Sequence, residues 1–338
     1  MARARAIVPA PTPAATARRA VPEAAPIGLS AVIVAASAQE PRVLTIRTAG
    51  GAGEGAEALP SGPLEAAHRT LEIGLRTWVE RQTSQRLGHV EQLYTFGDRD
   101  RAAGGGGLGL PPLVVAYLAL VREAAPSGDA EAEWHGWYRY LPWEDWRQGR
   151  PAPLVAIEEA LVLWAGRSDG VAERRRREER VGLAFGHAGA AWNEELVLER
   201  YELLYEAGLV AESARDLGRP AVAADAATGV AMALDHRRIL ATAIGRLRGK
   251  IKYRPVVFEL MPPSFTFLQL QRTVEALAGV RLHKQNFRRL VEQQGLVEET
   301  GAISAATGGR PARLLRFRRE VLLERPAPGL RLRSGRRV

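Results

Sequence analysis

In the last third of the chain, predicted helices are separated by glycine and proline residues that end them. The resulting order of elements is compatible with few known folds. The predicted elements are a helix over 236–248, a short strand or extended segment over 256–260, a helix from Thr266 to Ala278, a helix over 283–294 and a hairpin over 296–319. Thr266-x-x-Gln269 is a capping box that opens the second helix, and Gly279 and Gly295 end the second and third helices. This is the order of a winged helix-turn-helix, so we predict that fold for the C-terminal third.

The third predicted helix is the candidate for contact with nucleic acid. In a helix-turn-helix, the second helix of the motif enters the major groove, so its exposed face must carry donors for bases and phosphates. Apolar spacing buries Leu282, Phe287, Leu290 and Val291. Glutamine and asparagine pair with adenine, arginine pairs with guanine, and lysine or a wing arginine contacts phosphate or the minor groove. The predicted DNA-binding residues are Thr266, Lys284, Gln285, Asn286, Arg288, Arg289, Arg310 and Arg313.

Charge is distributed unevenly along the 338 residues and favours a polyanion as the partner of this third. Residues 236–338 hold 22 Lys and Arg against 7 Asp and Glu, a balance of +15, whereas residues 1–235 have a balance of −6. A basic segment on a neutral-to-acidic body is typical of nucleic-acid binding. Only three of the basic residues are lysines, so a compositional bias toward arginine is the alternative explanation of this charge.

The residues ahead of this module alternate strand and helix patterns. Strands are predicted over 28–37, 43–47, 90–96, 113–121 and 134–141, and helices over 64–82 and 153–164. Such interleaving predicts an α/β domain. The predicted organisation is a disordered leader over 1–25, an α/β domain over 26–166, a helical connecting segment over 167–235, the winged helix over 236–325 and a basic tail over 326–338.

Composition excludes several classes of protein. The chain has no cysteine, which excludes disulfide scaffolds, thiolate metal sites and cysteine nucleophiles. Six scattered histidines without an H-E-x-x-H pair do not predict a metal site. No apolar run approaches the roughly 18–20 residues that a membrane helix needs. We therefore expect a cytoplasmic protein with no metal and no membrane partner.

Motifs in the C-terminal third resemble one known family. They are the runs Phe258-Glu-Leu-Met-Pro-Pro-Ser-Phe265, Leu282-His-Lys284-Gln-Asn286-Phe287-Arg288-Arg289 and Gly309-Arg310-Pro311-Ala312. These runs are similar to the DNA-binding half of the Nudix-related transcriptional regulators of NAD metabolism, almost continuously over 236–320. The resemblance implies a homodimeric repressor that reads a palindromic operator in double-stranded DNA beside genes of NAD synthesis or salvage. It also implies that the α/β domain is a Nudix-like α/β/α sandwich.

The α/β domain contains a degenerate form of the Nudix box, G-x5-E-x7-R-E-U-x-E-E-x-G-U, in which U is a bulky apolar residue. Aligned from Gly62, the box keeps Arg76 and Glu80. The three other glutamate positions are occupied by His68, Thr77 and Arg81. Glutamates of such a box hold the Mg²⁺ ions that activate water on a pyrophosphate. Because one carboxylate beside an arginine is a poor magnesium site, we predict that the domain is not an enzyme.

The resemblance further implies that the Nudix-like pocket binds ADP-ribose or a related NAD-derived nucleotide as an effector, with no cofactor required. We expect Gly62, Arg76, Glu80 and Arg81 at this ligand site, because cationic side chains can hold a diphosphate without a metal. An ion pair between Arg76 and Glu80 is the structural alternative. The aromatic residues that the sequence offers for an adenine ring are Trp78, Tyr94 and Phe96.

The sequence leaves two other functions open. The first is a divergent Nudix pyrophosphohydrolase acting on ADP-ribose-like nucleotides, with carboxylates recruited from elsewhere, such as Glu65 or Glu72. The second is a scaffold protein whose winged helix docks on another protein. Association that is insensitive to salt would indicate the scaffold, because phosphate contacts make affinity for DNA fall steeply as salt rises.

Overall fold

The computed structural model describes residues 27–37, 39–48, 55–97, 113–187, 189–219, 227–304, 311–325, 328–330 and 336–337. In the N-terminal part a seven-stranded mixed sheet is the central element. Its strands are β1 (Ile27–Ala36), β2 (Pro41–Arg47), β3 (Glu57–Ala58), β4 (Ser61–Pro63), β5 (Val90–Gly97), β6 (Leu113–Leu120) and β7 (Ala132–Gly136). The predicted leader over 1–25 lies outside the described residues.

The strands β1 and β6 form the parallel centre of this sheet. Their register runs without a break from Ile27 opposite Leu113 to Val34 opposite Leu120. On the other edge of β1, β2 and β4 pair with it antiparallel, and β5 pairs antiparallel with β6. Both central strands are buried along almost their whole length. Their continuous apolar sequence is what a strand covered on both faces requires.

One helix, α1 (Leu71–Thr83), packs against β1 and β4. The helix begins at Leu71 and not near residue 64 as predicted, because Pro63 belongs to β4 and the Thr70 hydroxyl accepts a hydrogen bond from the Ile73 N–H as the N-cap. At the other end, the loop over 127–130 donates N–H groups to the last carbonyls of the helix. A Cβ on Gly128 would lie 2.2 Å from the Gln82 backbone, so only glycine allows this approach.

In the described part of the chain, four helices lie between the sheet and the C-terminal module. They are α2 (Pro153–Gly166), α3 (Val171–Phe185), α4 (Val197–Glu206) and α5 (Ala211–Asp216). A short pair of strands, β8 (Ala191–Trp192) and β12 (Arg336–Arg337), lies beside them. The strand predicted over 134–141 is wrong beyond Gly136, because the chain turns into two 3-10 turns over 137–139 and 142–144. These turns bury Trp137, Tyr140 and Trp143.

The C-terminal part has the predicted order of a winged helix-turn-helix. Its elements are α6 (His236–Tyr253), β9 (Phe265–Thr266), α7 (Phe267–Ala278), α8 (Lys284–Gln293), β10 (Val297–Ser304), β11 (Ala312–Phe317) and α9 (Val321–Glu324). The capping box of α7 is confirmed, since Thr266 Oγ1 accepts from the Gln269 N–H at 3.2 Å and Gln269 Oε1 accepts from the Thr266 N–H at 2.7 Å. Gly279, with φ of 72°, ends α7.

Three details of this module differ from the prediction. Residues 256–259 form a 3-10 turn and not a strand, and an apolar run this short does not distinguish the two. The wing is a three-stranded sheet, because β9 pairs with β11 in addition to the predicted hairpin of β10 and β11. The first helix of the module also continues to Tyr253, five residues beyond its predicted end.

A buried cluster of charges joins the sheet domain, the connecting helices and the winged helix. The Glu144 carboxylate, on the second 3-10 turn, accepts hydrogen bonds from Arg200 of α4 and Arg248 of α6, each at 2.5 Å. The three side chains have 0% or 1% of their surface exposed. Burial alone would raise the pKa of Glu144, but the charges of Arg200 and Arg248 outweigh burial and hold that pKa below its ordinary value.

Arg248 of this cluster and two residues near it make hydrogen bonds to backbone carbonyls where α7 ends and the turn of the helix-turn-helix begins. Arg248 Nε donates to the Leu277 carbonyl at 3.1 Å, and the Tyr138 hydroxyl donates to the Ala276 carbonyl at 2.7 Å. The Trp146 N–H donates to the Gly279 carbonyl at 2.7 Å. The end of α7 is therefore fixed against the 3-10 turns of the sheet domain through groups that do not depend on α7 side chains.

We predict that Glu144→Gln lowers the free energy of unfolding by about 3–5 kcal/mol, because it leaves two buried guanidinium groups without a counter-charge. The lowered pKa of Glu144 means that its contribution is complete at neutral pH and is lost as the pH falls through that value. The stability gap between native protein and variant should therefore narrow in acid. Urea unfolding at several pH values measures this gap.

The matched control is Glu178→Gln, which removes the partner of Arg174 in an ion pair exposed on α3. That substitution should cost less than about 1 kcal/mol, because water screens an exposed pair. Equal effects of the two substitutions would contradict the role given to Glu144.

Candidate nucleotide pocket and nucleic-acid interface

A cavity of about 690 Å³ lies between the end of α1 and the strands β2 and β4. Its size is within the range of pockets that take nucleotide-sized ligands. The lining residues are Ile46, Arg47, Thr48, Gly55, Ser61, Gly62, Pro63, Trp78, Arg81, Gln82, Asp129, Ala130 and Glu131. Two residues of the predicted ligand site, Gly62 and Arg81, are therefore in one pocket, and the others are not.

Packing between Gly62, Trp78 and Arg81 shapes one wall of this pocket. The indole of Trp78 lies so close to Gly62 that a Cβ there would be 2.2 Å from the ring. Trp78 Nε1 donates to the Pro63 carbonyl at 2.8 Å, which fixes the ring. The guanidinium carbon of Arg81 lies 3.7 Å from the ring centroid. A cation stacked in this way is held at the pocket wall with its N–H edge available to a ligand.

Charged side chains from three other places complete the rim. Arg47 of β2 donates to the Gly55 carbonyl at 2.9 Å and lies 3.7 Å from the Glu131 carboxylate. Asp129 lies in the loop that caps α1. The rim thus combines two guanidinium groups with two carboxylates. Sequence reasoning missed Arg47, Asp129 and Glu131, because nothing in the Nudix box indicates which loops fold back over the helix end.

Arg76 and Glu80 lie away from this pocket. Arg76 Nη2 donates to Glu72 at 2.8 Å and to the Gly88 carbonyl at 2.9 Å, so it ties α1 to the loop that follows. The predicted alternative, an ion pair between Arg76 and Glu80, is therefore wrong, because the ion-pair partner of Arg76 is Glu72. Glu80 instead lies 3.4 Å from Arg86.

The box residues do not fit a magnesium site. Within the described ranges, no three His, Asp or Glu side chains come together as a group that could hold a metal ion. His68 accepts a hydrogen bond from the Glu65 N–H, and Glu72 is paired with Arg76. Glu65 and Glu72, the carboxylates considered for a divergent hydrolase, are absent from the pocket lining, where the carboxylates are Asp129 and Glu131.

Of the three aromatic residues predicted for an adenine ring, Trp78 alone lines the cavity. It is covered by Arg81 and packed against Gly62. Tyr94 is 65% exposed on β5, where it contacts Phe96 edge to face at 5.7 Å. Tyr94 and Phe96 are therefore placed on β5 and not in the pocket.

The helix α8 presents its polar side chains to solvent as predicted. Phe287 and Val291 are buried, and at about 100° per residue the opposite face carries Gln285 and Arg289. The exposed residues of the predicted set on this helix are Lys284, Gln285, Asn286, Arg288 and Arg289. Arg288 lies on one flank, 2.8 Å from Glu292, and its guanidinium is over the Phe267 ring. Asn286 and Arg289 line a groove on the other flank beside Glu194.

The remaining predicted contacts are less uniform. Arg313, on the wing strand β11, pairs with Glu299 at 2.7 Å, so its charge is compensated. Thr266 is buried and its hydroxyl acts as the N-cap of α7, which is a structural role for a residue predicted to contact DNA. Arg310 lies outside the described residues.

Comparison with known proteins agrees with this architecture. Residues 257–317 match the family model described as the NrtR DNA-binding winged helix domain. Over 86 residues the chain is 43% identical to the ADPR responsive transcriptional repressor NtrR of Acinetobacter baylyi, which is 25% of this chain and 34% of that relative. The chain thus matches about a third of the length of this curated relative.

Two solved structures share the fold of most of the chain. Shewanella oneidensis NrtR complexed with a 27mer DNA gives a TM-score of 0.52 at 19% identity, covering 87% of this chain and 94% of that one. A MutT/nudix family protein from Enterococcus faecalis gives a TM-score of 0.52 at 16% identity, covering 88% and 87%. The predicted fold class, a Nudix-like domain followed by a winged helix, is confirmed. The resemblance to the Nudix-related regulators is confirmed over the winged helix.

None of the helices in the described part of the chain has the length and apolarity that a bilayer crossing requires.

The sequence predicts ADP-ribose as the ligand of this pocket, and we predict that Gly62→Ala lowers the affinity for it at least tenfold. The added methyl group would displace the Trp78 ring and, with it, the guanidinium of Arg81. The free energy of unfolding should fall by about 1–3 kcal/mol from overpacking. Calorimetric titration with ADP-ribose measures the first effect and thermal unfolding the second.

Gly88→Ala is the matched control, since a Cβ there meets no atom within 4 Å. Unchanged affinity in Gly62→Ala would place the nucleotide elsewhere.

Proposed function

We propose that this protein is a DNA-binding transcriptional repressor whose Nudix-like domain binds ADP-ribose or a related NAD-derived nucleotide. The observation that carries the proposal is the outward face of α8, which holds basic and amide donors in a segment matching a DNA-binding winged helix. The name of the Acinetobacter baylyi relative supports both the repressor role and the effector. The protein acts as a homodimer on a palindromic operator beside genes of NAD synthesis or salvage.

The test is fluorescence anisotropy of the purified protein on its own promoter fragment and on scrambled DNA. Measurements at two salt concentrations, with and without ADP-ribose, separate the parts of the proposal. Preference for the promoter fragment, loss of affinity at higher salt and a change with nucleotide are expected. Equal affinity for both fragments would contradict a sequence-reading regulator. Association without salt dependence would favour the scaffold function.

We predict that Arg289→Ala lowers affinity for the promoter fragment about 5- to 100-fold and leaves affinity for scrambled DNA nearly unchanged. Arg289 lies on the outward face of α8 and has no ion-pair partner among the described residues, so it is placed for a bidentate contact with guanine. Anisotropy on both fragments measures the difference. Arg174→Ala, on the exposed face of α3, is the control for loss of one arginine. Equal losses on both fragments would make Arg289 a phosphate contact.

The pocket binds its nucleotide without a metal. Arg81 and Arg47 approach the cavity from α1 and β2, and two guanidinium groups can hold the two phosphates of ADP-ribose by charge-assisted hydrogen bonds. Arg76 and Glu80, which the sequence suggested for this role, are paired with Glu72 and Arg86 and are not among the residues that line the cavity.

The alternative, a divergent Nudix pyrophosphohydrolase, is favoured by one feature, the pair of carboxylates Asp129 and Glu131 on the pocket rim. Release of ribose 5-phosphate from ADP-ribose with Mg²⁺, abolished by Asp129→Asn, would support it. Under our proposal ADP-ribose is recovered intact after prolonged incubation, and Glu80→Gln binds it as the native protein does.

A further inference from the structure

A second cavity, of about 350 Å³, lies where the sheet domain meets the helix-turn-helix. Its walls come from both parts of the chain. The sheet domain and the loop after its 3-10 turns contribute Gln39, Arg147 and Gln148, and the helix-turn-helix contributes Arg272, Glu275 and Arg281. We call this cavity the arginine cleft. It shares no residue with the nucleotide pocket or with the predicted DNA-binding set.

The charge of the arginine cleft is positive although a carboxylate lines it. Glu275 is buried, and its oxygens accept hydrogen bonds from the Leu282 N–H at 2.9 Å and from Arg281 Nη1 at 3.0 Å. Arg147 is held by both oxygens of Asp145 at 2.8 Å. Arg272 is exposed on α7 and has no hydrogen bond or ion pair to any described residue. The cleft therefore carries one uncompensated guanidinium beside two that are fixed in place.

Fixed guanidinium groups are suited to an oxyanion. Arg147 also donates to the Gln39 carbonyl and lies over the Tyr138 ring, so its side chain is already ordered before an anion binds. Arg281 Nε donates to the Arg147 carbonyl at 3.2 Å, which ties the two arginines together. Pre-ordering of this kind lowers the entropic cost of binding a phosphate.

The position of the cleft favours one source of phosphate. Arg281 lies three residues before Lys284, the first residue of α8. In a helix-turn-helix the amino end of the second helix points into the major groove, and the phosphates that flank the groove run beside it. Arg281 belongs to the turn before α8 and lines the arginine cleft, so the cleft adjoins the end of α8 beside which these phosphates would run.

We propose that the arginine cleft binds a backbone phosphate of the operator, next to the bases that α8 contacts. The proposal rests on the proposed function and adds to it a contact that the sheet domain makes with DNA. Because Arg147 belongs to the sheet domain and Arg272 to α7, one phosphate would be held by both. Tight DNA binding would then require the two parts to keep their present arrangement.

The test is Arg272→Gln in the full chain, with Arg175→Gln on α3 as the control for an equal change of net charge. Anisotropy is measured on the promoter fragment and on scrambled DNA between about 50 and 200 mM salt. Loss of one phosphate contact lowers the salt slope by about one. Affinity should fall by a similar factor on both fragments, and the fall in affinity across this salt range should be about threefold smaller. Arg272→Lys should keep most of the slope, because a lysine still neutralises a phosphate.

An unchanged salt slope in Arg272→Gln would overturn the proposal, as would a loss confined to the promoter fragment. A second outcome would also overturn the proposal. Inorganic phosphate at constant ionic strength would stabilise the native protein but not Arg272→Gln, while the salt slope of DNA binding was the same in both proteins. The cleft would then bind a free anion and not the DNA backbone. Failure of the native protein to prefer its promoter fragment would contradict the proposed function, and the slope on scrambled DNA would still test the cleft.

Discussion

The compensation of one buried negative charge decides how the parts of this protein are arranged. Glu144 cannot remain ionised in the core unless guanidinium groups surround it, and those groups come from two different helices. Arg200 also donates to the Ala184 and Asn193 carbonyls and lies over Trp192, so α3 and α4 are fixed by the same side chain. Among the connecting helices, α4 thus supplies a counter-charge to Glu144. The winged helix is docked through the other arginine.

A second buried network connects the neighbourhood of the nucleotide pocket to α6. Strand β3 follows Gly55 of the pocket, and the carboxylate of its Glu57 accepts hydrogen bonds from Arg139 and Tyr140. Burial and this bond to Glu57 raise the pKa of the Tyr140 hydroxyl, which therefore stays a donor. Arg237 of α6 donates to the Tyr140 carbonyl at 3.3 Å. Since α6 also carries Arg248, both networks meet on one rigid helix that contacts the helix-turn-helix.

The sequence was most informative where local rules determine structure. The capping box at Thr266, the stop at Gly279 and the spacing of Phe287 and Val291 are satisfied within a few residues, and each was predicted correctly. The winged-helix order and the exposed face of α8 follow from them. One prediction that failed concerns a segment whose conformation depends on distant partners. The strand predicted over 134–141 ends at Gly136, and the residues after it form 3-10 turns whose tryptophans are buried in a core that includes helices far along the chain.

The residues of the candidate pocket could also be predicted from the sequence only in part. The Nudix alignment placed Gly62 and Arg81 at one predicted ligand site, and both line one cavity because Trp78 lies between β4 and α1. It could not show that Arg76 is committed to the Leu87 and Gly88 carbonyls, because that depends on the path of the loop after α1. Nor could it find Asp129 and Glu131, which reach the rim only when the loop over 127–130 caps the helix end. Long-range contacts of this kind leave no periodic signal in a sequence.

The degenerate box and the buried networks make physical sense together. Under the proposed function, the nucleotide must persist in order to be sensed, and the loss of the box glutamates that would hold magnesium favours its persistence. To change DNA affinity tenfold, the nucleotide must then bind one arrangement of the two domains better than the other by about 1.4 kcal/mol. One charge-assisted hydrogen bond, made in one arrangement and lost in the other, supplies that difference. Among the described residues, Arg81 stacks on Trp78, and Arg47 makes an exposed ion pair and one hydrogen bond to a carbonyl, so either guanidinium can shift by the small distance this requires.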